Sequence, residues 1–240
     1  MKIDKIYFVM PAYNESANIE EVVDLWLGIV EKIGGESRLV VANDGSKDDT
    51  WEKLDQMQQE KPLLIALDKP NSGHGSTVLY LYRYAISQGA DFIFQTDSDG
   101  QTNPDEFWQM YDNRNQYDFQ IGHRIGRQDG WSRVVVTKIL RLVVWLLFHE
   151  WVLDANTPFR LMRSERLKAI IEKIPKDYFL CNVAITAIAV KWKESIQWYP
   201  ITFRPRMKGV NSINLKRIVK IGWRALSDFR KINNGLKCKE

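Results

Sequence analysis

Short apolar, β-branched runs alternate with longer stretches of helical periodicity through the first half of the chain. Lys5–Met10, Arg38–Ala42, Leu63–Leu67, Asp91–Thr96 and Asp118–Gly122 read as strands, and Asn18–Ile33, Lys47–Gln59 and Ser76–Gln88 as helices, with a further helix expected after Pro104. This order predicts an α/β domain with a mostly parallel sheet flanked by helices. Two later segments change pattern. Val134 to Leu153 is strongly apolar, but Lys138, Arg141 and Glu150 interrupt it, and its longest unbroken run, Leu142–Phe148, is far shorter than the about 20 residues of a membrane span. It reads either as a buried helix or as one lying in a membrane interface. Leu215, Ile218, Val219, Gly222, Trp223, Leu226 and Phe229 then follow helical spacing, with Lys216, Arg217, Lys220 and Arg224 between them, predicting a basic amphipathic helix.

With 240 residues, 45% of them hydrophobic, the chain is long enough for one sizeable core. The expected organisation is one large domain over residues 1–212 and a basic helix and tail over 213–240. Ile213 to Glu240 holds eight Lys/Arg against Asp228 and Glu240, a net of +6, whereas the whole chain is +4, so the preceding residues sum to −2. That asymmetry points to an anionic surface as partner. No secretory signal is expected from Met1-Lys2-Ile3-Asp4, and Cys181 and Cys238 suggest neither a disulfide framework nor a zinc site, so a reducing cytoplasm is the expected compartment.

Ligands of parallel α/β sheets bind beyond the carboxyl ends of the strands, and the polar residues of this chain gather there. The first strand runs into Pro11-Ala12-Tyr13-Asn14-Glu15, the second into Asn43-Asp44-Gly45-Ser46, and the fourth into Asp97-Ser98-Asp99-Gly100-Gln101; Asn71-Ser72-Gly73-His74-Gly75 opens the third helix. Gly73 lets the backbone pass close to a ligand, and the helix start behind it favours anions. Two carboxylates one residue apart at a strand exit, with a neutral oxygen from Gln101, suit a hard divalent cation that keeps positions open for phosphates. Taken singly, these stretches also read as polar turns and caps: Asn14 or Ser16 as a helix cap, Asp44-Gly45-Ser46 or Asp97-Ser98-Asp99-Gly100 as a turn. No G-x-G-x-x-G follows the first strand and no G-x-x-x-x-G-K-[ST] occurs, which disfavours a dinucleotide-binding dehydrogenase and a P-loop NTPase.

Taken together and in this order, the three strand-end motifs, with Asp48-Asp49-Thr50 after the second, resemble family 2 glycosyltransferases of the GT-A fold. The likeness is greatest to the polyprenyl-phosphate branch exemplified by dolichol-phosphate mannosyltransferases. The resemblance implies that Pro11, Ala12, Tyr13, Glu15, Asp44, Gly73 and Asp97 line the site of a UDP- or GDP-linked sugar. It implies that Asp97, Asp99 and Gln101 hold Mg²⁺ or Mn²⁺ against the diphosphate. Asp154-Ala155-Asn156-Thr157-Pro158-Phe159-Arg160 is similar to the family's Asp-x-x-x-Gly-Phe-Arg acceptor loop, with Pro158 in the usual place of Gly. Arg124 and Arg160 are then the candidates to grip an acceptor phosphate, since guanidinium groups meet phosphate bidentately. Arg206, in a segment resembling the family's Arg-x-x-Gly-x-Ser-Lys, joins them, although the family's Lys is missing.

Where many family members acting on hydroxyls carry a Glu-Asp pair, this chain reads Tyr178-Phe179-Leu180-Cys181-Asn182-Val183. A hydroxyl nucleophile needs a base; a phosphate monoester, with a second pKa of about 6, is already largely dianionic at neutral pH. The missing pair favours a polyprenyl-phosphate acceptor and direct displacement with inversion, although Asp154 or Asp177 could fold into the site. The expected setting is the cytoplasmic membrane face, with a membrane-protein partner or a second copy as further expectations. Two rivals stand beside this reading. One is a soluble family 2 enzyme acting on a glycan or protein hydroxyl. The other is a nucleic-acid-binding module using the basic tail, which leaves the acidic cleft unexplained and lacks any recognised motif, so nucleic acid is not expected as a partner.

Overall fold

The computed structural model describes residues 3–125, 145 and 152–204. The remainder of the apolar stretch 134–153, Arg206 and the basic helix expected over 213–240 lie outside the described residues. Seven strands form one sheet: β1 (Ile6–Ala12), β2 (Arg38–Asp44), β3 (Leu64–Lys69), β4 (Phe92–Gln95), β5 (Phe119–Ile125), β6 (Arg160–Arg163) and β7 (Ile196–Thr202). Among the described residues the sheet is flanked by α1 (Ile19–Ile33), α2 (Thr50–Glu60), α3 (His74–Ser87), α4 (Phe107–Asp112, after a 3₁₀ turn at Pro104–Glu106), α5 (Ser164–Ile171) and α6 (Cys181–Lys191). The expected α/β architecture is present, with a mostly parallel sheet between helices.

Strand order is β3-β2-β1-β4-β6-β5-β7. β6 runs antiparallel to both neighbours, and every other pair is parallel. The chain builds outward from β1 to β3, then α3 carries it back across the sheet to β4 on the other side of β1. The reversal leaves a crevice between the carboxyl ends of β1 and β4, where open α/β sheets take their ligands. β6 and β7 were not anticipated from the sequence; Arg160–Arg163 is only four residues long.

Successive residues of a strand face opposite sides. Tyr7 and Val9 join the core under α3, α5 and α6, whereas Ile6, Phe8 and Met10 join the core under α1, α2 and α4. All seven β1 residues are buried, which is why the run reads as continuously apolar rather than alternating. On the α1 side Phe8, Trp26, Phe94, Phe107 and Phe159 form an aromatic cluster; Phe94 meets Phe159 edge-on with ring centres 4.8 Å apart. This rigid floor lies directly behind the strand end that carries the paired aspartates. Among the described residues no helix is long and apolar enough to cross a membrane.

Candidate active site

Six strands deliver their carboxyl ends to one edge of the sheet, so the loops after β1, β2, β3 and β4 share it. The first two are stitched together by hydrogen bonds. Asn14, held at φ 53°, donates its backbone N–H to Ser46 Oγ at 2.9 Å, and its side-chain oxygen accepts from the Lys47 N–H at 2.8 Å. The Glu15 N–H donates to Thr50 Oγ1 and the Ser16 N–H to Asp48. Pro11 and Ala12 are buried in the sheet. Glu15 is also buried, with its carboxylate accepting from Asn18 Nδ2 at 3.0 Å. Tyr13 differs: it is 44% exposed at the rim of the crevice, an aromatic face open to a ligand.

Asp44 closes the second loop onto the third. Its Oδ1 accepts from Lys69 Nζ and from the Ser72 N–H, and its Oδ2 accepts from the Gly73 N–H at 2.9 Å. The backbone carbonyl of Asp44 takes a further bond from Asn71 Nδ2. The expected nucleotide contact is therefore also the clamp that sets the entry to α3. Burial alone would raise the Asp44 carboxyl, but the Lys69 ammonium, the Ser72 N–H and Thr77 together hold it below its ordinary value. A depressed carboxyl stabilises the fold above its unfolded pKa, and the contribution disappears as pH falls through the lower folded value. Asp44→Asn should accordingly cost most near neutral pH, and the gap from wild type should narrow as pH falls below about 4; urea midpoints at pH 7 and pH 3 check this. Gly45 sits at φ +63°, and a Cβ there would lie 2.7 Å from the Asn71 nitrogen, so this clamp requires glycine. Beside it, Asn43, Ser46, Asp48, Trp51, Glu52, Asp68 and Lys69 line a cavity of about 340 Å³; neither Asp97 nor Asp99 lines it.

The paired aspartates leave the end of β4. Ser98, between them, is buried and donates its hydroxyl to the Pro11 carbonyl at 2.9 Å, which fastens the turn to β1. Gly100, at φ 71°, reverses the chain, and the Gln101 N–H donates to Asp99 Oδ1 at 3.2 Å. Asp97 Oδ1 is enclosed, yet no described residue gives it a hydrogen bond. His74 Nε2, at the start of α3, stands 3.9 Å from it, too far for a hydrogen bond. A buried carboxylate oxygen with no donor is costly, and a divalent cation resolves it. Among the described residues no group of three or more carboxylate, imidazole or thiol ligands forms. A two-carboxylate donor set of this kind suits a Mg²⁺ or Mn²⁺ ion that shares its remaining positions with water and phosphate oxygens. Gln101 is 2% exposed and its Nε2 donates to the Arg204 carbonyl at 2.8 Å.

The two described arginines expected at an acceptor phosphate are placed differently from one another. Arg124 lies at the end of β5 and pairs bidentately with Asp154, Nε to Oδ2 at 2.7 Å and Nη2 to Oδ1 at 2.9 Å, with Phe203 beneath its guanidinium. The same pair occupies both Asp154 oxygens, so that carboxylate does not stand ready as a base; Asp177 is exposed. Arg160 departs from the expectation. Its side chain is fully buried, and all five N–H donors are engaged: by Thr157 O twice, and by Ala155 O, Asn182 O and Thr186 Oγ1. No donor remains for a phosphate. The physical reason is that Arg160 begins β6, pairing with Gln95 and Ile121, and its side chain is drawn against the first turn of α6, where it organises a buried polar layer with Asn182, Thr186 and Thr157.

Sequence reasoning had passed over His74, Ser98 and Lys69. Lys69 occupies the same strand-end position as the other site residues, and that position was the available signal. Ser98 lay in plain view between the aspartates, but its bond to β1 needs the sheet order.

A family model described as Glycosyl transferase family 2 matches residues 7–170. The chain belongs to that family. Its relatives include UDP-N-acetylglucosamine–dolichyl-phosphate N-acetylglucosaminyltransferase of Methanococcus voltae, 26% identical over 82% of this chain and 84% of that one. Undecaprenyl-phosphate mannosyltransferase of Micrococcus luteus is 24% identical over 88% of each chain. Among solved structures, glucosyl-3-phosphoglycerate synthase of Mycobacterium tuberculosis in complex with Mn²⁺, UDP and glucosyl-3-phosphoglycerate superimposes with a TM-score of 0.69 at 18% identity. That match covers 98% of this glycosyltransferase and 81% of the synthase. The fold and the polyprenyl-phosphate branch expected from the strand-end motifs agree with these likenesses.

Proposed function

We propose that this glycosyltransferase moves a sugar from a UDP- or GDP-linked donor to a polyprenyl phosphate at the cytoplasmic membrane face, with inversion at the anomeric carbon. The observation that carries the metal-dependent reading is the Asp97–Asp99 pair at the β1/β4 crevice, with an enclosed Asp97 oxygen that lacks a donor among the described residues. The relatives named for dolichyl and undecaprenyl phosphates support the acceptor.

Each residue then has a task. Tyr13 offers an aromatic face to the nucleotide base, and Asp44 holds the Ser72–Gly73 loop that opens α3 beside it. Asp97 and Asp99 would hold Mg²⁺ or Mn²⁺, which neutralises charge gathering on the departing diphosphate; Ser98 fixes their turn to β1. Arg124 is a candidate for the acceptor phosphate, held ready by Asp154 and released to it when the anion arrives. An acceptor phosphate oxygen attacks the anomeric carbon, and the bond to the diphosphate oxygen breaks with its electron pair leaving on the nucleoside diphosphate. No proton has to be removed from a dianionic phosphate, so no carboxylate base is required of Asp154 or Asp177. The basic segment 213–240 would draw the enzyme to anionic lipid.

The test is a donor screen of UDP- and GDP-sugars against undecaprenyl phosphate in the presence of Mn²⁺, scored for glycolipid. One donor should give product that disappears with EDTA. Glycolipid from no donor, alongside transfer to a free glycan hydroxyl, would contradict the proposal.

A further inference from the structure

The turn that bears the paired aspartates is fastened to the end of β7 by an unusually complete set of bonds. Gln101 Nε2 donates to the Arg204 carbonyl at 2.8 Å, and the Arg204 N–H returns a bond to the Gln101 carbonyl at 2.8 Å. Thr102 forms an antiparallel bridge with Phe203, and its hydroxyl lies 3.0 Å from that of Thr96. The Thr202 N–H meets both carboxylate oxygens of Glu106, at 3.0 and 3.1 Å. Phe203 in turn lies 5.1 Å beneath the guanidinium of Arg124, which is paired with Asp154. A continuous line of contacts thus runs from the Asp97–Asp99 turn through Gln101 and Phe203 to Arg124.

The amide of Gln101 is the joint in that line. Its acceptor, a carbonyl, demands the NH₂ end, so the side chain has a defined orientation and its Oε1 points away from Arg204. The backbone N–H of the same residue donates to Asp99 Oδ1 at 3.2 Å. Gln101 is thus tied to β7 through its side chain and to the carboxylate pair through its backbone.

We propose that Gln101 is a positioning residue whose bonds to Asp99 and to Arg204 couple cation binding at Asp97 and Asp99 to the anchoring of Thr202–Arg204, and through Phe203 to the placement of Arg124. The inference rests on the metal-dependent reading of the site. Linkage requires the effect to be reciprocal: whatever tightens the Gln101–Arg204 contact tightens cation binding by the same factor.

The test is hydrogen exchange of the Arg204 amide in the full chain, measured with no metal, with Mn²⁺ alone, and with Mn²⁺ plus UDP or GDP. Mn²⁺ affinity is read in parallel by calorimetry. In wild type, bound Mn²⁺ should slow exchange at Arg204 by at least about fivefold, the lower end of ordinary coupling. Gln101→Glu removes the side-chain N–H to Arg204 and leaves the backbone N–H to Asp99; it should retain Mn²⁺ binding and lose the change at Arg204. Gln101→Met keeps the volume without the side-chain donor and should likewise lose the coupling. Slowing of equal size in wild type and in Gln101→Glu would overturn the proposal, as would Mn²⁺ that binds wild type and leaves Arg204 unchanged. Absence of Mn²⁺ binding to wild type is a different outcome, since it overturns the metal site itself.

Discussion

Gly75→Ala is expected to destabilise the protein by about 3 kcal/mol or more, even though replacing glycine within a helix ordinarily gains up to about 1 kcal/mol. Gly75 is the second residue of α3, and a Cβ built on it would lie 2.3 Å from the Phe179 carbonyl oxygen and 2.5 Å from that of Tyr178. Both obstacles are backbone atoms, so no rotamer change relieves them. The segment before α6 or the start of α3 would have to move, and the start of α3 carries Gly73, held by Asp44, and His74 beside Asp97. Melting temperature should therefore fall by roughly 6–12 °C. Gly28→Ala supplies the contrast. Gly28 lies inside α1 with nothing within 4 Å of its would-be Cβ, so the same substitution there should hold or raise the melting temperature. Similar behaviour of the two variants would show that the close approach of α3 to Phe179 is not a constraint on the fold.

Asp97→Asn and Asp99→Asn should each lower turnover by roughly a hundred- to a thousandfold, the scale expected when a group stabilising developing charge is removed. Stability should move in the opposite sense. The enclosed Asp97 oxygen has no donor among the described residues, and Asp99 stands two positions away with a like charge, so neutralising Asp97 relieves a cost in the metal-free protein. Apo melting temperature should hold or rise, while the increase on adding Mn²⁺ with UDP or GDP should vanish. A variant that loses activity together with its fold would instead assign these side chains to structure.

Much of this site could be read from the chain because its parts are local. Asp97-Ser98-Asp99, Asp44-Gly45-Ser46 and Pro11 to Glu15 each follow a strand that its own apolar run reveals, and strand ends of a parallel sheet share one edge. The fold class followed from the same alternation. What was not legible depends on contacts across long sequence separation. β6 is four residues with no periodicity to speak of, and it forms because β4 and β5 present open edges on either side of it. Once β6 exists, Arg160 points inward and must satisfy its charge with carbonyls of the 155–157 loop and α6; from the motif alone it reads as a phosphate ligand. Asp154 illustrates the same limit. It was a candidate base in the sequence and becomes the partner of Arg124 in the fold, thirty residues away. Gln101 and Arg204 are 103 residues apart, and nothing local to either announces the other.

The central claim, metal-dependent transfer to a phosphate acceptor, is tested most directly by a matched pair of lipids of equal chain length, one a polyprenyl phosphate and one the free polyprenol. Each is presented in the same vesicles with the active nucleotide-sugar and Mn²⁺. Nucleoside diphosphate release and glycolipid should appear in equal amounts with the phosphate, should be absent with the alcohol, and should stop on chelation. Equal transfer to the alcohol, or transfer to the phosphate that survives complete removal of divalent metal, would contradict it.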